Sequence, residues 1–178
     1  MEDGVSINQR AKRIQLLLMD CDGVLTDGRI WILENGEDQK GFNTKDGLGF
    51  DLLHRAGLRS GIISGRQSSA LDRRAEALGI SFVRQGRENK ISAFEEILTK
   101  AEVDESKVAF IGDDLNDIPL MRRSGLAVAV KDAVEETLRS AHFITTKKGG
   151  DGAVRETIEL ILKAQDRWDG LVENYLKS

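Results

Sequence analysis

The sequence is poor in the features that characterise secreted and membrane proteins. It has a single cysteine, Cys21, which excludes an intrachain disulfide and is typical of a protein from a reducing compartment. No apolar run approaches the length of a transmembrane helix, and the first ten residues lack the apolar core of a signal peptide. We therefore expect a cytoplasmic protein.

The sequence also has few histidines and no net positive charge. The two histidines, His54 and His142, lack the spacing of a metal site. A formal net charge of −4 gives no general attraction to nucleic acid or to an anionic membrane. Any anionic substrate must therefore be met by a local cluster of basic residues.

The 178 residues are 40% hydrophobic and 31% charged, a composition typical of a globular protein with its own core. Strand-like runs alternate with helical segments. After the apolar run that begins at Leu16, the predicted strands are residues 60–63, 81–83, 108–111, 126–130 and, more weakly, 142–145. The first predicted helix starts at Asp46 and ends before Gly57. Four further helices are predicted at residues 68–78, 89–101, 118–123 and 133–140. This alternation predicts an α/β fold, a three-layer α/β/α Rossmann-like sandwich with a mostly parallel sheet.

Three segments lie outside this alternation. Residues 1–10 are predicted to be a mobile tail, which leaves residues 11–178 as one domain. Residues 29–42 place Asn35-Gly36 between two strand-like runs, a strong hairpin signal, and predict a small flap beside the first strand. Residues 152–178 carry apolar positions at helical spacing, which requires either a surface of the same domain or one of a neighbouring subunit.

Two carboxylates follow the first apolar run. Asp20 and Asp22 converge at the carboxyl end of the predicted strand, where Gly23 can turn the backbone and where α/β sheets bind ligands. Two close carboxylates repel unless a cation or a proton intervenes. Asp20 would then serve as metal ligand and nucleophile and Asp22 as general acid, although Asp and Gly are also ordinary turn residues.

A second acidic cluster follows the predicted strand at residues 108–111. If the two strands are neighbours, Asp20, Asp22 and Asp113 can share one ion, and ligation by oxygen alone favours Mg²⁺ over Zn²⁺. The alternative is an Asp-rich turn in which Asp117 lies near a helix start. That alternative explains one carboxylate but not two matching clusters.

Two further residues fit a phosphate group. Ser64 and Gly65 follow an apolar strand just before a helix, where backbone N–H groups and a hydroxyl can bind phosphate, although such residues also cap helices. Lys90 falls at the predicted start of the next helix, where a cation opposes the helix dipole. That unfavourable position favours phosphate binding over a role as a surface lysine.

These residues resemble the four motifs of the haloacid dehalogenase-like hydrolase superfamily in order and spacing. The motifs are D-C-D-G-V at residues 20–24, Ser64, Lys90, and G-D-D-x-x-D at residues 112–117. A nearer resemblance is to the family of 3-deoxy-D-manno-octulosonate 8-phosphate (KDO 8-P) phosphatases of bacterial lipopolysaccharide synthesis. Its segments are D-G-V-L-T-D-G at 22–28, F-N-x-x-D-G at 42–47, Q-G-x-x-N-K at 85–90 and G-G-x-G-A-V-R-E at 149–156.

The resemblance implies hydrolysis in two steps. Asp20 attacks phosphorus and becomes an aspartyl-phosphate, while Asp22 protonates the departing sugar oxygen and later deprotonates the attacking water. Mg²⁺ is implied at Asp20, the Asp22 carbonyl and Asp113, and Ser64 and Lys90 neutralise the phosphoryl group. The residues placed against the substrate are Asp22, Asn43, Thr44, Lys45, Asp46, Gly47, Gly65, Arg66, Arg74 and Lys90.

The motif spacing leaves no room for a cap domain, since 43 residues separate Asp20 from Ser64 and 22 separate Lys90 from Asp113. Similar capless enzymes are tetramers in which the hairpin of one subunit and the C-terminal tail of another cover the site. The resemblance implies a homotetramer here, with residues 29–42 and the segment after Gly149 at interfaces.

Alternative functions remain at this point. A phosphatase for nine-carbon nonulosonate 9-phosphates is closely related, and two departures from the family pattern, Lys45 and Asp51, could alter the sugar specificity. A receiver-like signalling domain would carry its phosphoacceptor on a later strand. A non-catalytic regulatory domain would not be expected to fill every catalytic position.

Overall fold

The computed structural model describes residues 4–36, 38–87 and 89–177. The strands are β1 (Leu16–Met19), β2 (Trp31–Ile32), β3 (Asp38–Gln39), β4 (Arg59–Ile63), β5 (Phe82–Arg84), β6 (Val108–Gly112), β7 (Leu126–Ala129) and β8 (Phe143–Ile144). The helices are α1 (Ile7–Lys12), α2 (Thr44–Arg55), α3 (Ser69–Ala77), α4 (Lys90–Ala101), α5 (Ile118–Arg123), α6 (Glu135–Ser140), α7 (Ala153–Ala164) and α8 (Trp168–Leu176). Among the described residues, no helix is both long and apolar enough to cross a membrane.

Six strands form a parallel sheet in the order β5-β4-β1-β6-β7-β8. Strand β1 lies at its centre, with Met19 paired to Ile62 of β4 on one side and to Ile111 of β6 on the other. All four β1 residues are buried because helices flank both faces of the sheet, which explains their continuous apolar character. The prediction of a three-layer α/β fold is confirmed.

The hairpin forms where the sequence predicts it, as the antiparallel pair β2 and β3. Its regular pairing is shorter than the predicted runs and joins Trp31 to Gln39 and Ile32 to Asp38. Glu37 of the predicted turn lies outside the described residues. Trp31 and Ile32 remain 60% and 76% exposed, so the hairpin presents an apolar surface.

The N-terminal segment differs from the expected mobile tail. Residues 7–12 form helix α1, which begins with a capping box between Ser6 and Gln9 and packs against α7. Ala11 is fully buried there, so contact with α7 rather than local propensity explains the helix. Helix α7 also packs on α2 of the same chain, whereas α8 contributes no buried residue within the described chain.

Candidate active site

The carboxyl ends of β1, β4 and β6 meet at one edge of the sheet. Asp20, Ser64 and Asp113 follow these three neighbouring strands directly, as the parallel register requires. They border a cleft of about 180 Å³. The residues that line it are Asp20, Asp22, Ser64, Gly65, Arg66, Asp113, Asp114 and Asn116.

The loop after β1 is held by close backbone contacts. Gly23 has a φ of +89°, and a β-carbon there would lie 2.1 Å from Oδ2 of Asp113. Gly149 packs on the opposite side, where a β-carbon would lie 1.7 Å from the carbonyl oxygen of Gly23. The N–H of Gly150 donates to the carbonyl of Val24 at 3.0 Å. Gly149 and Gly150 therefore support the loop after β1.

Asp20 is buried and receives two donors. Its Oδ1 accepts a hydrogen bond from the N–H of Cys21 at 2.6 Å, and its Oδ2 lies 2.8 Å from Nζ of Lys90. Burial and the negative charge of Asp117 raise the pKa of Asp20 to about 6, against the opposing effect of Lys90. The carboxylate thus has one fixed orientation at the floor of the cleft.

Asp113 has a buried carboxylate oxygen without a partner and a raised pKa. Its Oδ1 is buried and has no hydrogen-bond partner among the described residues. Burial, followed by the charges of Asp117 and Asp20, raises the pKa of Asp113 to about 8. Carboxylate oxygens of these three residues lie within 4.8 Å of one another. An unsatisfied oxygen within such an all-oxygen cluster fits a divalent cation of the Mg²⁺ type.

Lys90 is the buried cation of this cluster. It begins α4 after the N-cap Asn89, and its Nζ lies 2.8 Å from both Asp20 and Asp117. Burial alone would lower the pKa of Lys90, but the charges of Asp117 and Asp20 raise it above its ordinary value. The ammonium group therefore stays protonated beside Asp20.

Asp117 is a site residue that the sequence reasoning missed, since it treated Asp117 as a possible helix cap. One carboxylate oxygen binds Lys90 and the other accepts from the N–H of Asp113 at 3.0 Å. Gly112 has no room for a side chain, because a β-carbon there would lie 2.5 Å from that of Asp117. The signal was present in the G-D-D-x-x-D spacing.

The side chain of Asp22 contacts one basic side chain and faces another. Lys40, just after β3, forms an ion pair with its Oδ1, and Nε of Arg66 lies 4.0 Å from its Oδ2. Sequence reasoning missed Lys40, because nothing in its local pattern indicates that the hairpin folds back onto residue 22.

The predicted phosphate-binding turn is formed at the end of β4. Ser64 is buried, and its hydroxyl accepts a hydrogen bond from the N–H of Arg66 at 3.3 Å. Gly65 and Arg66 are exposed on the cleft.

The other predicted substrate residues do not line this cleft of the single chain. Asn43 caps α2 by accepting from the N–H of Lys45 and donates to the carbonyl of Gly150. Thr44 and Lys45 are exposed. Asn43 therefore joins the start of α2 to the loop that supports Gly23.

Asp46, which is predicted to lie against the substrate, contacts a second helix of this chain. Its carboxyl group is buried and accepts from the N–H of Arg155 at 2.8 Å, which satisfies a free donor at the start of α7. Burial raises its pKa to about 6, although the Arg155 N–H opposes this. Asp46 therefore joins α2 to α7.

Gly47 and Arg74 also have structural contacts. A β-carbon on Gly47 would lie 3.0 Å from Nη2 of Arg74, so the glycine makes room for that guanidinium. Arg74 donates to the carbonyl of Asn43 at 3.4 Å and lies over the ring of Phe42 at 5.7 Å. Both residues shape the start of α2 within this chain.

Comparisons with known proteins agree with this geometry. Residues 78–157 match the model of the haloacid dehalogenase-like hydrolases. The chain is 46% identical over 162 residues to the KDO 8-P phosphatase of Yersinia pestis, covering 91% of this chain and 87% of that protein. It is 42% identical over 160 residues to the same enzyme of Escherichia coli K12, covering 90% and 85%.

Solved structures are similar as well. The KDO 8-P phosphatase of Moraxella catarrhalis, in complex with magnesium, phosphate and KDO, superposes with a TM-score of 0.92 at 41% identity, covering 98% of this chain and 99% of that one. A probable YrbI family phosphatase of Pseudomonas syringae gives a TM-score of 0.93 at 44% identity, covering 96% and 97%. With these similarities over nearly its whole length, the chain belongs to the KDO 8-P phosphatase family of haloacid dehalogenase-like hydrolases.

Proposed function

We propose that this chain hydrolyses KDO 8-P to 3-deoxy-D-manno-octulosonate and inorganic phosphate, through an aspartyl-phosphate on Asp20. The observation that carries the proposal is the convergence of Asp20 and Asp113, each directly after a neighbouring strand, with Lys90 at the start of α4, in a chain of this family. We take residues 11–178 as the catalytic domain and place the reaction in the bacterial cytoplasm, in lipopolysaccharide sugar synthesis.

Asp20 acts as the nucleophile. The hydrogen bond from Cys21 and the ion pair with Lys90 fix its carboxylate, so attack on phosphorus needs little reorganisation. The bond from phosphorus to the sugar oxygen breaks as the bond to Asp20 forms. Lys90 and the turn at Ser64 stabilise negative charge on the phosphoryl oxygens.

Asp22 moves the protons. As a carboxylic acid it protonates the departing sugar oxygen in the first step, because an alkoxide is a poor leaving group. The resulting carboxylate then accepts a proton from the water that attacks the aspartyl-phosphate. Phosphate leaves, and both aspartates return to their starting states.

Asp20, the carbonyl of Asp22 and Asp113 would hold Mg²⁺. When bound, the ion neutralises charge on the transferring phosphoryl group. Asp117 stays with Lys90 and the Asp113 backbone, to which both of its oxygens are already committed.

The site needs closure from outside this chain. Exposed Trp31 and Ile32 on the hairpin, and Leu176 of α8, which is 82% exposed, provide apolar surface for contacts between subunits. We propose a homotetramer in which these segments cover neighbouring sites. Thr44 and Lys45 would meet the sugar at such an interface.

A panel of sugar phosphates tests the function. Phosphate release should be fastest with KDO 8-P and should require Mg²⁺, with Asp20→Asn as the inactive control. The nine-carbon nonulosonate 9-phosphates are the second candidate substrates. If they are hydrolysed faster than KDO 8-P, Asp51 is the residue to substitute next. In this chain Asp51 pairs with Arg55 at 3.0 Å on the surface of α2. Comparable activity of Asp20→Asn would exclude Asp20 as nucleophile.

A further inference from the structure

We propose that Lys40 is a positioning residue that orients the carboxyl group of Asp22 for proton transfer. Lys40 lies outside the four motifs and directly follows β3 of the hairpin. The proposal rests on the proposed function, since it concerns the proton transfers of the same reaction.

The side chain of Lys40 is buried between two carboxylates. Its side chain is 3% exposed and contacts Oδ1 of Asp22, while Oδ2 of Asp38 lies 3.4 Å from its Nζ. A buried ammonium group is costly unless it is paired, so these two contacts fix where the side chain can lie. An exposed ion pair of a flexible lysine would carry little such constraint.

The second carboxylate is anchored to the body of the protein. Oδ1 of Asp38 accepts a hydrogen bond from the hydroxyl of Ser68 at 2.9 Å, and Ser68 is buried before α3. The N–H of Ser68 in turn donates to the side chain of Gln85 at 2.8 Å. Lys40 is therefore held between the hairpin, the start of α3 and the catalytic loop.

The two oxygens of Asp22 have different surroundings. Oδ1 is bound by the buried Lys40, whereas Oδ2 faces the half-exposed Arg66 at 4.0 Å. Because Lys40 occupies Oδ1, the geometry assigns the transferred proton to Oδ2. That oxygen gives its proton to the sugar oxygen as the bond to phosphorus breaks, and takes one from water as the aspartyl-phosphate is hydrolysed.

This role makes the effect of Lys40 depend on the leaving group. The sugar oxygen of KDO 8-P needs a proton as it departs, whereas the acetate of acetyl phosphate departs without one. Both substrates form the same aspartyl-phosphate, whose hydrolysis again needs Asp22. Without Lys40, phosphoryl transfer should slow for the sugar phosphate only, and dephosphorylation should slow for both.

Rapid-quench kinetics of the holoenzyme with Mg²⁺ tests this on Lys40→Met, Lys40→Arg and the control Lys107→Met. Lys107 is exposed at the opposite edge of the sheet. For Lys40→Met we expect kcat with KDO 8-P to fall about 100-fold with KM within about threefold. Acetyl phosphate should give a burst of phosphoenzyme at the rate of the unsubstituted protein, followed by slow hydrolysis. Lys40→Arg should recover at least about tenfold of the loss.

Several outcomes would overturn the proposal. Equal losses for both substrates in the first step, with a lower melting temperature and no recovery in Lys40→Arg, would indicate a purely structural role. A rise in KM alone would indicate substrate binding. If the unsubstituted protein does not hydrolyse KDO 8-P, the proposed substrate is wrong. The role of Lys40 is still tested by the hydrolysis of the phosphoenzyme formed from acetyl phosphate. Slowed hydrolysis in Lys40→Met supports the role of Lys40, and unchanged hydrolysis refutes it.

Discussion

Gly23 and Asp113 are in contact only because Gly23 has no side chain, since a β-carbon there would lie 2.1 Å from Oδ2 of Asp113. The contact joins the loop after β1 to the acidic residue after β6. The acidic cluster therefore depends on a position that itself carries no chemical group.

Gly23→Ala should damage the metal site more than the fold. The positive φ costs about 1 kcal/mol in any non-glycine residue, and the clash must also displace Asp113. Gly57→Ala is the matched control, because its φ is +78° but nothing lies within 4 Å of the added carbon. Urea unfolding should show a stability loss in both variants, larger in Gly23→Ala because of the clash. Calorimetric Mg²⁺ titration should show weakened binding only in Gly23→Ala. Equal Mg²⁺ affinity in the two variants would contradict the prediction.

Mg²⁺ should stabilise the folded protein through Asp113. At a concentration about 100 times its Kd, a bound ion adds about 2.7 kcal/mol to the free energy of unfolding. Asp113→Asn should lose this gain in thermal melting, and its phosphatase activity should fall about 100-fold or more. A chelator should lower the melting temperature of the unsubstituted protein in Mg²⁺ and leave that of Asp113→Asn unchanged. A Mg²⁺-dependent melting shift retained in Asp113→Asn would place the ion elsewhere.

Lys90→Met should destabilise the metal-free protein strongly. Removal of the buried ammonium leaves Asp20 and Asp117 without their shared partner, which costs about 3–5 kcal/mol. In the double variant Lys90→Met/Asp117→Asn the loss should be smaller than the sum of the single losses, because one stranded charge is removed. Urea unfolding in chelator measures this cycle, with the exposed Lys100→Met as control. Strict additivity would show that Lys90 and Asp117 do not interact.

The contribution of Asp46 to the free energy of unfolding should fall as the pH rises from about 4 to about 6. The pKa of its carboxyl group is about 6 in the folded protein against an ordinary value of 3.8. The folded state therefore binds more protons in this window, and the stability that this group provides at low pH is lost as it ionises. Asp46→Asn keeps an acceptor for the N–H of Arg155 and cannot ionise.

Urea unfolding at a series of pH values measures this effect. Between pH 4 and pH 7 the stability of Asp46→Asn relative to the unsubstituted protein should rise by about 2–3 kcal/mol. Asp46→Ala loses the acceptor and should be destabilised at every pH. A pH-independent difference between Asp46→Asn and the unsubstituted protein would show that Asp46 does not titrate in this window.

The hairpin should control the oligomeric state. Ile32→Glu places a charge on a surface that we propose to be buried between subunits, so sedimentation velocity should show dissociation and activity should fall with it. Ile144→Glu, an exposed apolar position on β8, is the matched control and should leave the assembly intact. A fully active monomer of the unsubstituted protein would contradict both the tetramer and the shared site.

Sequence patterns were sufficient where neighbouring strands carry the site. The apolar runs before Asp20 and Asp113 predict two buried strands, and the parallel register brings their ends together. Patterns failed where a contact spans the chain. The motif position of Asp46 predicts a substrate contact but gives no sign of its hydrogen bond with the backbone of Arg155, 109 residues away. Lys40 was missed because its contact with Asp22, 18 residues earlier, forms only when the hairpin folds back onto the loop after β1.

Local signals also failed when they were short. Ser6 and Gln9 carry a capping-box pattern, but a six-residue helix is marginal alone and α1 depends on its packing against α7. The contact of Asp117 with Lys90 was not predicted, because the position of Asp117 near a helix start already explained an aspartate there. In each case the deciding interaction was made by a residue far away in sequence.

The central position of β1 also determines which parts of the protein can open without displacing Asp20, the proposed nucleophile. Asp20, Ser64 and Asp113 follow β1, β4 and β6, three of the four inner strands of the sheet. Within the described chain, the short outer strands β5 and β8 are each paired on one side. Local unfolding starts where backbone pairing is sparse. Lys90 differs from these three residues, because its helix α4 follows the outer strand β5. Fraying of that edge would release the lysine first, so amide exchange at β5 should report loss of activity before the sheet itself unfolds.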